Sequence, residues 1–175
     1  MKSAYARYLT HLNLDYDIDE LREEVEEFSF KPFSPKDCYF HETWLKAKIR
    51  DHIHMYPHID ELYKMFDGSL IVAYRQLADT SVHMHIDPAT LCSINIVLSK
   101  DAAPVVFEDY GEIDYKCALF NTSLNHAVPA YHKERLLLKF SYLNTSYDTV
   151  LKRLIQSDRV CREPHSMDVS NKTSI

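Results

Sequence analysis

Val82-His83-Met84-His85-Ile86-Asp87 is the stretch that decides how this chain is read. Apolar Val82, Met84 and Ile86 alternate with polar His83, His85 and Asp87, which is the period of a strand and not of a helix. Successive strand side chains emerge on opposite faces, so His85 and Asp87 leave on the same side, roughly 6.6 Å apart, near enough to lean onto one metal ion. The same spacing recurs in His58-Ile59-Asp60, but there Ile59, Leu62, Tyr63 and Phe66 repeat at helical spacing. On a helix, residues i and i+2 diverge, so that pair is set aside, and Asp60 reads as a capping or first-turn carboxylate. Taken alone, His85 and Asp87 have other readings: a strand histidine satisfied by a hydrogen bond, and an Asp that opens a turn before Pro88.

Around this stretch the chain is rich in short β-branched and aromatic runs. Residues 69–76, 81–86, 91–99, 104–108, 113–120, 126–129 and 134–143 read as strands separated by Asp, Asn, Ser and Pro. With only two glycines, the turns fall to residues such as Asp101, Asp109, Asn121 and Asn125. The first third reads as helical, with one apolar stripe at Ile18, Leu21, Val25 and Phe28 and another at Trp44, Leu45, Ile49 and Ile53. A helix from Pro57 should end near Gly68, and residues 147–156 read as a closing helix with Val150, Leu151 and Leu154 inward. Seven strands after helices that can cover one sheet predict a mainly β fold with flanking helices, a double-stranded β-helix or jelly roll of the cupin kind. Residues 1–156 form the expected single domain, helical over about 15–67 and β over about 69–143. Residues 157–175 form a polar tail.

Composition narrows the function classes. The chain has 175 residues, 46% hydrophobic and 26% charged, which suits one globular core. A formal charge of −6 and the absence of a Lys/Arg stripe argue against bulk nucleic-acid binding. No apolar run approaches the roughly 20 residues that a membrane-crossing helix needs, and the N-terminal residues lack the apolar centre of a secretory signal, so a cytoplasmic protein is expected. Cys38, Cys92, Cys117 and Cys161 show no Cys-x-x-Cys spacing, and Cys92 and Cys117 are expected as buried thiols. Oligomeric state is not legible.

A metal site needs a further ligand, and His126 in Phe120-Asn-Thr-Ser-Leu-Asn-His126-Ala-Val-Pro129 is the candidate. Two imidazoles and one carboxylate leave open positions on a metal, as in non-haem Fe(II) oxygenases. Arg135 follows nine positions later, leading an apolar strand where a charge needs a partner. In that strand Arg135, Leu137 and Lys139 share one face, and Leu136, Leu138 and Phe140 the other.

With these residues in view, the segment from about Leu70 to Tyr142 resembles the Fe(II)/2-oxoglutarate-dependent oxygenases, nearest to their prolyl-hydroxylase-like group. The resemblance rests on the His-x-Asp strand, the distal His126, the basic residue after it, and the flavour of His126-Ala-Val-Pro-Ala-Tyr-His-Lys-Glu-Arg135. It implies that His85, Asp87 and His126 ligate Fe(II) and that Arg135 receives the far carboxylate of 2-oxoglutarate, a role suited to a planar guanidinium. It also implies O2 as co-reactant, and hydroxylation of an amino acid, peptide side chain or small metabolite. Tyr74 resembles a tyrosine that hydrogen-bonds the cosubstrate, and Ser93 and Asn95, a polar pair on one strand face, are further cosubstrate-pocket candidates. His83 reads as solvent-facing or as support for the ligands, while Arg75, Tyr131 and His132 are candidates for substrate contact. Two departures stand out: Ala102-Ala103-Pro104 where the family often carries a Gly pair, and Leu137 where some members carry Ser. Rival readings are a cupin-like metalloprotein that works without 2-oxoglutarate, which requires Arg135 to face away from the metal, and a non-catalytic jelly-roll binding module.

Overall fold

A computed structural model describes residues 6–33, 44–49, 53–87 and 89–161. In chain order the elements are β1 (Leu9–His11), α1 (Ile18–Glu26), β2 (Lys31–Pro32), β3 (Trp44–Lys48), a 3-10 turn (Ile53–Met55), α2 (Pro57–Met65), β4 (Leu70–Gln76), β5 (Val82–His85), β6 (Cys92–Val97), β7 (Val105–Phe107), β8 (Gly111–Ile113), β9 (Cys117–Phe120), β10 (His126–Val128), β11 (Arg135–Tyr142) and α3 (Tyr147–Gln156). They form a seven-stranded sheet in the order β1-β9-β6-β11-β4-β3-β2 and a four-stranded sheet in the order β5-β10-β7-β8. All named pairings are antiparallel. Two such sheets with these crossovers make the double-stranded β-helix that the strand texture predicts.

β11 shows how the alternation of a strand builds the molecule. Leu136, Leu138 and Phe140 belong to one buried cluster with Ile71 and Ala73 of β4, Ile94 and Ile96 of β6, Leu21 and Val25 of α1, Ile59 and Leu62 of α2, and Val150 and Leu154 of α3. Arg135, Leu137, Lys139 and Ser141 face the opposite way and line a cavity. Smaller clusters flank that cavity: Tyr8, Leu9, Phe107, Ala118 and Phe120 on one side, and Trp44, Val82, Ala103 and Val128 on the other. The large sheet thus carries its apolar face against helices and turns a mixed face inward.

Two expectations need correction. Trp44, Leu45 and Ile49 belong to no helix; Trp44–Lys48 is β3, laddered to β4 with Ala47 opposite Ala73. The apolar set there also fits period 2, through Leu45, Ala47 and Ile49, and pairing with a long neighbouring strand settles the ambiguity. Residues 113–120 are not one strand. β8 pairs with β7 in the small sheet and β9 with β6 in the large one, so the chain changes sheets between Ile113 and Cys117. Asp109 and Asn121 do sit in turns, closed by Tyr110 N to Phe107 O and by Leu124 N to Asn121 O, while left-handed backbone among the described non-glycines occurs at Asp79 (φ 59°) and Asp158 (φ 56°). Gly68, three residues beyond α2, does adopt φ +79°. Cys92 and Cys117 are buried free thiols as expected, and Cys38 lies outside the described residues. After α3 the backbone still hydrogen-bonds the β1 region, from Asn13 N to Arg159 O and from Cys161 N to His11 O.

The amide-rich end of α2 is satisfied from a distance. Its N-cap, Tyr56, supplies no side-chain cap, and Asp60 pairs with Lys64 at 2.5 Å. Instead Glu24 of α1 accepts from the backbone amides of His58 and Ile59, each at 2.9 Å, and from His58 Nδ1 at 2.8 Å. That hydrogen bond and the neighbouring acids raise the His58 pKa above its ordinary value, against a smaller effect of burial. Replacing Glu24 with Ala should therefore lower stability by about 1–3 kcal/mol in urea unfolding, since buried amides lose their acceptor. A raised pKa stabilises the fold below the unfolded value of about 6.5 and loses that effect as pH rises through the folded value. The stability gap between wild type and His58→Ala should accordingly be widest below that pH and narrow above it; a gap that widens with pH contradicts the pairing.

Candidate metal centre

β5 and β10 bring the two histidines together. His126 stands directly opposite His85 in the antiparallel pair, and their ring centroids lie 4.5 Å apart. The ladder then slips: two residues along β10, from His126 to Val128, match three along β5, from His85 back to Val82. This bulge turns both Val82 and His85 toward the cavity, although three residues separate them, and leaves His83 exposed. Asp87 lies two residues beyond His85, where its backbone amide donates to Thr122 O at 3.1 Å. One ligand atom from each of His85, Asp87 and His126 falls within 4.8 Å of the others, close to the span that metal–ligand bonds of about 2.1 Å allow.

Hydrogen bonding fixes which nitrogen of each ring can bind a metal. His85 Nδ1 is 2.7 Å from His83 O, and His126 Nδ1 is 2.9 Å from Leu124 O. A carbonyl only accepts, so Nδ1 carries the proton in both rings and Nε2 of the neutral ring carries the lone pair. Burial pushes the His126 pKa down to about 4, against the pull of Asp87, which keeps the ring neutral near pH 7. His85 Nε2 faces Asp87 Oδ1 at 3.4 Å. With Nδ1 of each ring turned to a carbonyl, Nε2 is the nitrogen left toward the cluster, and two imidazoles with one carboxylate suit a divalent transition metal.

Two further cations line the same cavity of about 200 Å3. Lys139 Nζ contacts Asp87 Oδ2 at 2.5 Å. Burial pushes the Asp87 carboxyl up, but the opposing effects, the charge of Lys139 first among them, prevail and hold it well below the usual carboxylate range. Burial likewise works against the Lys139 ammonium, and Asp87 more than offsets it. Arg135 is 2% exposed, yet its Nε and Nη1 have no hydrogen-bond partner among the described residues. Only Nη2 is engaged, donating to the hydroxyl of Tyr115, a phenol whose pKa burial raises. A buried guanidinium with two idle donors and no carboxylate within 4.0 Å among the described residues has the chemistry to take an anion.

The other candidates divide. Tyr74 and Asn95 line the cavity. Ser93 is fully buried beside it and donates to Asn95 Oδ1 at 3.0 Å, so it supports Asn95 and is absent from the lining. Leu137 lines the cavity, as does Val105, the residue after Ala102-Ala103-Pro104, which itself stays out of the lining. Arg75 points away, to Glu26 and Glu134 on the helix side. Lys139, Tyr115 and Trp44 were not singled out from sequence. Lys139 had a signal, being a charge in an apolar strand on the Arg135 face; Tyr115 and Trp44 had none.

No protein-family model and no curated protein matches this chain. Solved structures do resemble it. A 2OG-Fe(II) oxygenase family oxidoreductase from Burkholderia pseudomallei is 13% identical, with 74% of this chain and 78% of that one covered and a TM-score of 0.54. The viral collagen prolyl hydroxylase vCPH from Paramecium Bursaria Chlorella virus-1, solved as its 2OG complex, is 12% identical, with 77% and 94% covered and a TM-score of 0.52. HygX from Streptomyces hygroscopicus, with nickel, 2-oxoglutarate and hygromycin B bound, is 10% identical, with 74% and 80% covered and a TM-score of 0.50. At such identities the likeness is one of fold, the double-stranded β-helix of these oxygenases. Among the described residues no helix is long and apolar enough to cross a membrane.

Co(II) or Ni(II) should raise the thermal midpoint of the wild type and leave that of His126→Ala unmoved, as measured by differential scanning fluorimetry. Arg135→Met should melt no lower than wild type, because an apolar side chain replaces an underpaired buried charge. A large loss of stability in that variant counts against a guanidinium reserved for a ligand.

Proposed function

We propose that this protein is an Fe(II)- and 2-oxoglutarate-dependent dioxygenase that hydroxylates an amino acid, a peptide side chain or another small metabolite. The observation that carries the proposal is the pairing, in one cavity, of a two-histidine, one-carboxylate cluster with a buried guanidinium whose Nε and Nη1 find no partner among the described residues. The solved proteins of this fold with 2-oxoglutarate or a metal bound add support by likeness.

In this reading His85, Asp87 and His126 hold the metal through Nε2, Oδ1 and Nε2. The carbonyls of His83 and Leu124 keep both rings oriented. Arg135 takes the distal carboxylate of 2-oxoglutarate on its idle Nε and Nη1, with Tyr115 fixing the guanidinium plane. Tyr74 and Asn95 border the cosubstrate, and Val82, Val128 and Leu137 give the cavity apolar walls that exclude water. Bound iron supplies the activation of O2, a chemistry these side chains lack. The reaction balances as follows: the C1–C2 bond of 2-oxoglutarate breaks to release CO2, one oxygen atom of O2 enters succinate, and the other enters the C–H bond of the substrate as hydroxyl.

About 200 Å3 is below the roughly 300–1,000 Å3 typical of a site for a drug-sized ligand. The cavity therefore suits the small cosubstrate and the reacting end of a substrate whose remainder lies outside. A cupin-like enzyme without 2-oxoglutarate needs Arg135 turned away from the metal, and the guanidinium instead lines the cavity. A binding module without metal leaves the idle donors of Arg135 unexplained.

The test is succinate release from 2-oxoglutarate in air with Fe(II), screened across amino acids, peptides and small metabolites. Wild type should turn over, and Asp87→Ala and His126→Ala should be inactive. Arg135→Gln should require roughly 10–100-fold more 2-oxoglutarate, the loss expected when a charged, paired contact is removed. Metal binding without succinate formation under any substrate favours the cupin-like alternative.

A further inference from the structure

Lys139 stands in the middle of β11, laddered to Asn95 on one side and to Val72 on the other, and its side chain leaves the sheet on the cavity face. The ammonium ends 2.5 Å from Asp87 Oδ2, with the side chains of Lys139 and Asp87 13% and 11% exposed. An ammonium so covered is costly unless it is paired. Among the described residues Asp87 is the one carboxylate within ion-pair distance of it. The two oxygens of Asp87 therefore have separate partners. Oδ1 faces His85 Nε2, the side from which a metal would be shared. Oδ2 is held by Lys139, which competes with any metal for that oxygen and so disfavours a two-oxygen chelate.

The charge count matters as much as the geometry. The metal-ligand cluster contributes one negative charge, from Asp87, while Lys139 and Arg135 place two positive charges in the same cavity. Before a metal enters, the net charge of the cavity opposes it even though the donor set can ligate it; once it is in, the cavity favours an anion. Resting on the metal-site reading above, we infer that Lys139 is a positioning residue with two effects. It restricts Asp87 to one coordinating oxygen, and as a resident counter-ion it keeps the carboxylate aimed in the metal-free protein while holding metal affinity down.

This gives a sign opposite to the usual one. Losing a neutral outer partner of a metal ligand typically weakens metal binding by about 10–100-fold. Losing a cationic partner removes a charge that repels the incoming ion and competes with it for the same carboxylate. Lys139→Gln keeps a hydrogen-bond donor and removes only the charge. Lys139→Arg keeps the charge.

The experiment is titration of the metal-free protein with Co(II), followed by visible absorption and by calorimetry, with no turnover needed. Lys139→Gln should bind Co(II) at least about tenfold more tightly than wild type, a change of the size outer partners exert in the other direction. Lys139→Arg should stay close to wild type. A folded Lys139→Gln that binds Co(II) equally or more weakly overturns the inference and leaves the metal site standing. Wild type that binds no Co(II) at all sinks both. Should Lys139→Gln fail to fold, thermal unfolding of metal-free Asp87→Asn and of Asp87→Asn with Lys139→Met decides. The single variant strands a buried ammonium and should melt well below wild type, the double variant should recover most of the loss, and an absence of recovery overturns the counter-ion role.

Discussion

The cross-strand pairing of His126 with His85 is the constraint on which the rest of this structure depends. Directly opposed residues in an antiparallel pair hold their Cβ atoms about 5 Å apart, so the backbone ladder alone sets two imidazoles within reach of one ion. The bulge beside this pair then turns Val82 inward as well, closing the cavity wall without moving His85 off its mark. Asp87 follows two residues on, its amide tied to Thr122 O, and completes the cluster from the same stretch. A one-residue slip of β5 on β10 turns every one of these side chains to the wrong face.

β11 supplies the other half of the site by dividing its two faces. One face is apolar and packs with the helices through Leu136, Leu138 and Phe140. The opposite face carries Arg135 and Lys139 into the space between the sheets. Burying two cations is unfavourable, and their arrangement shows how the fold tolerates it. Lys139 is paired with Asp87, and Arg135 leans on Tyr115 while keeping Nε and Nη1 idle. The helix-side cluster holds the strand straight and central, so neither cation can swing to solvent to relieve its burial. In the proposed reading, that blocked relaxation is what preorganises the site for an anion.

Much of this was legible in residue order. The alternation from Val82 to Asp87, the helical period around His58 that excluded the decoy pair, and the charge leading an apolar strand at Arg135 each rest on a local rule. Those rules act over a few residues, and a local pattern is all they require. Where they gave two answers, as over Trp44–Lys48, a partner strand distant in sequence made the choice. The same holds for the cap of α2, donated by Glu24 more than thirty residues upstream. Lys139 was visible as a charge in an apolar run, but its partner, 52 residues away, was not.

By itself, then, the order of residues determined a strand-rich chain flanked by helices, the four residues proposed for the site, and the alternation that sets Arg135 and Lys139 on one face of their strand. Tertiary structure alone decided that His126 lies opposite His85, that a bulge turns the cavity wall inward, that Arg135 keeps two donors idle and that Lys139 closes on Asp87. The physical reason is range. Side-chain alternation and capping are set by neighbours along the backbone, whereas register between strands and the pairing of buried charges are settled only when distant segments exclude water together.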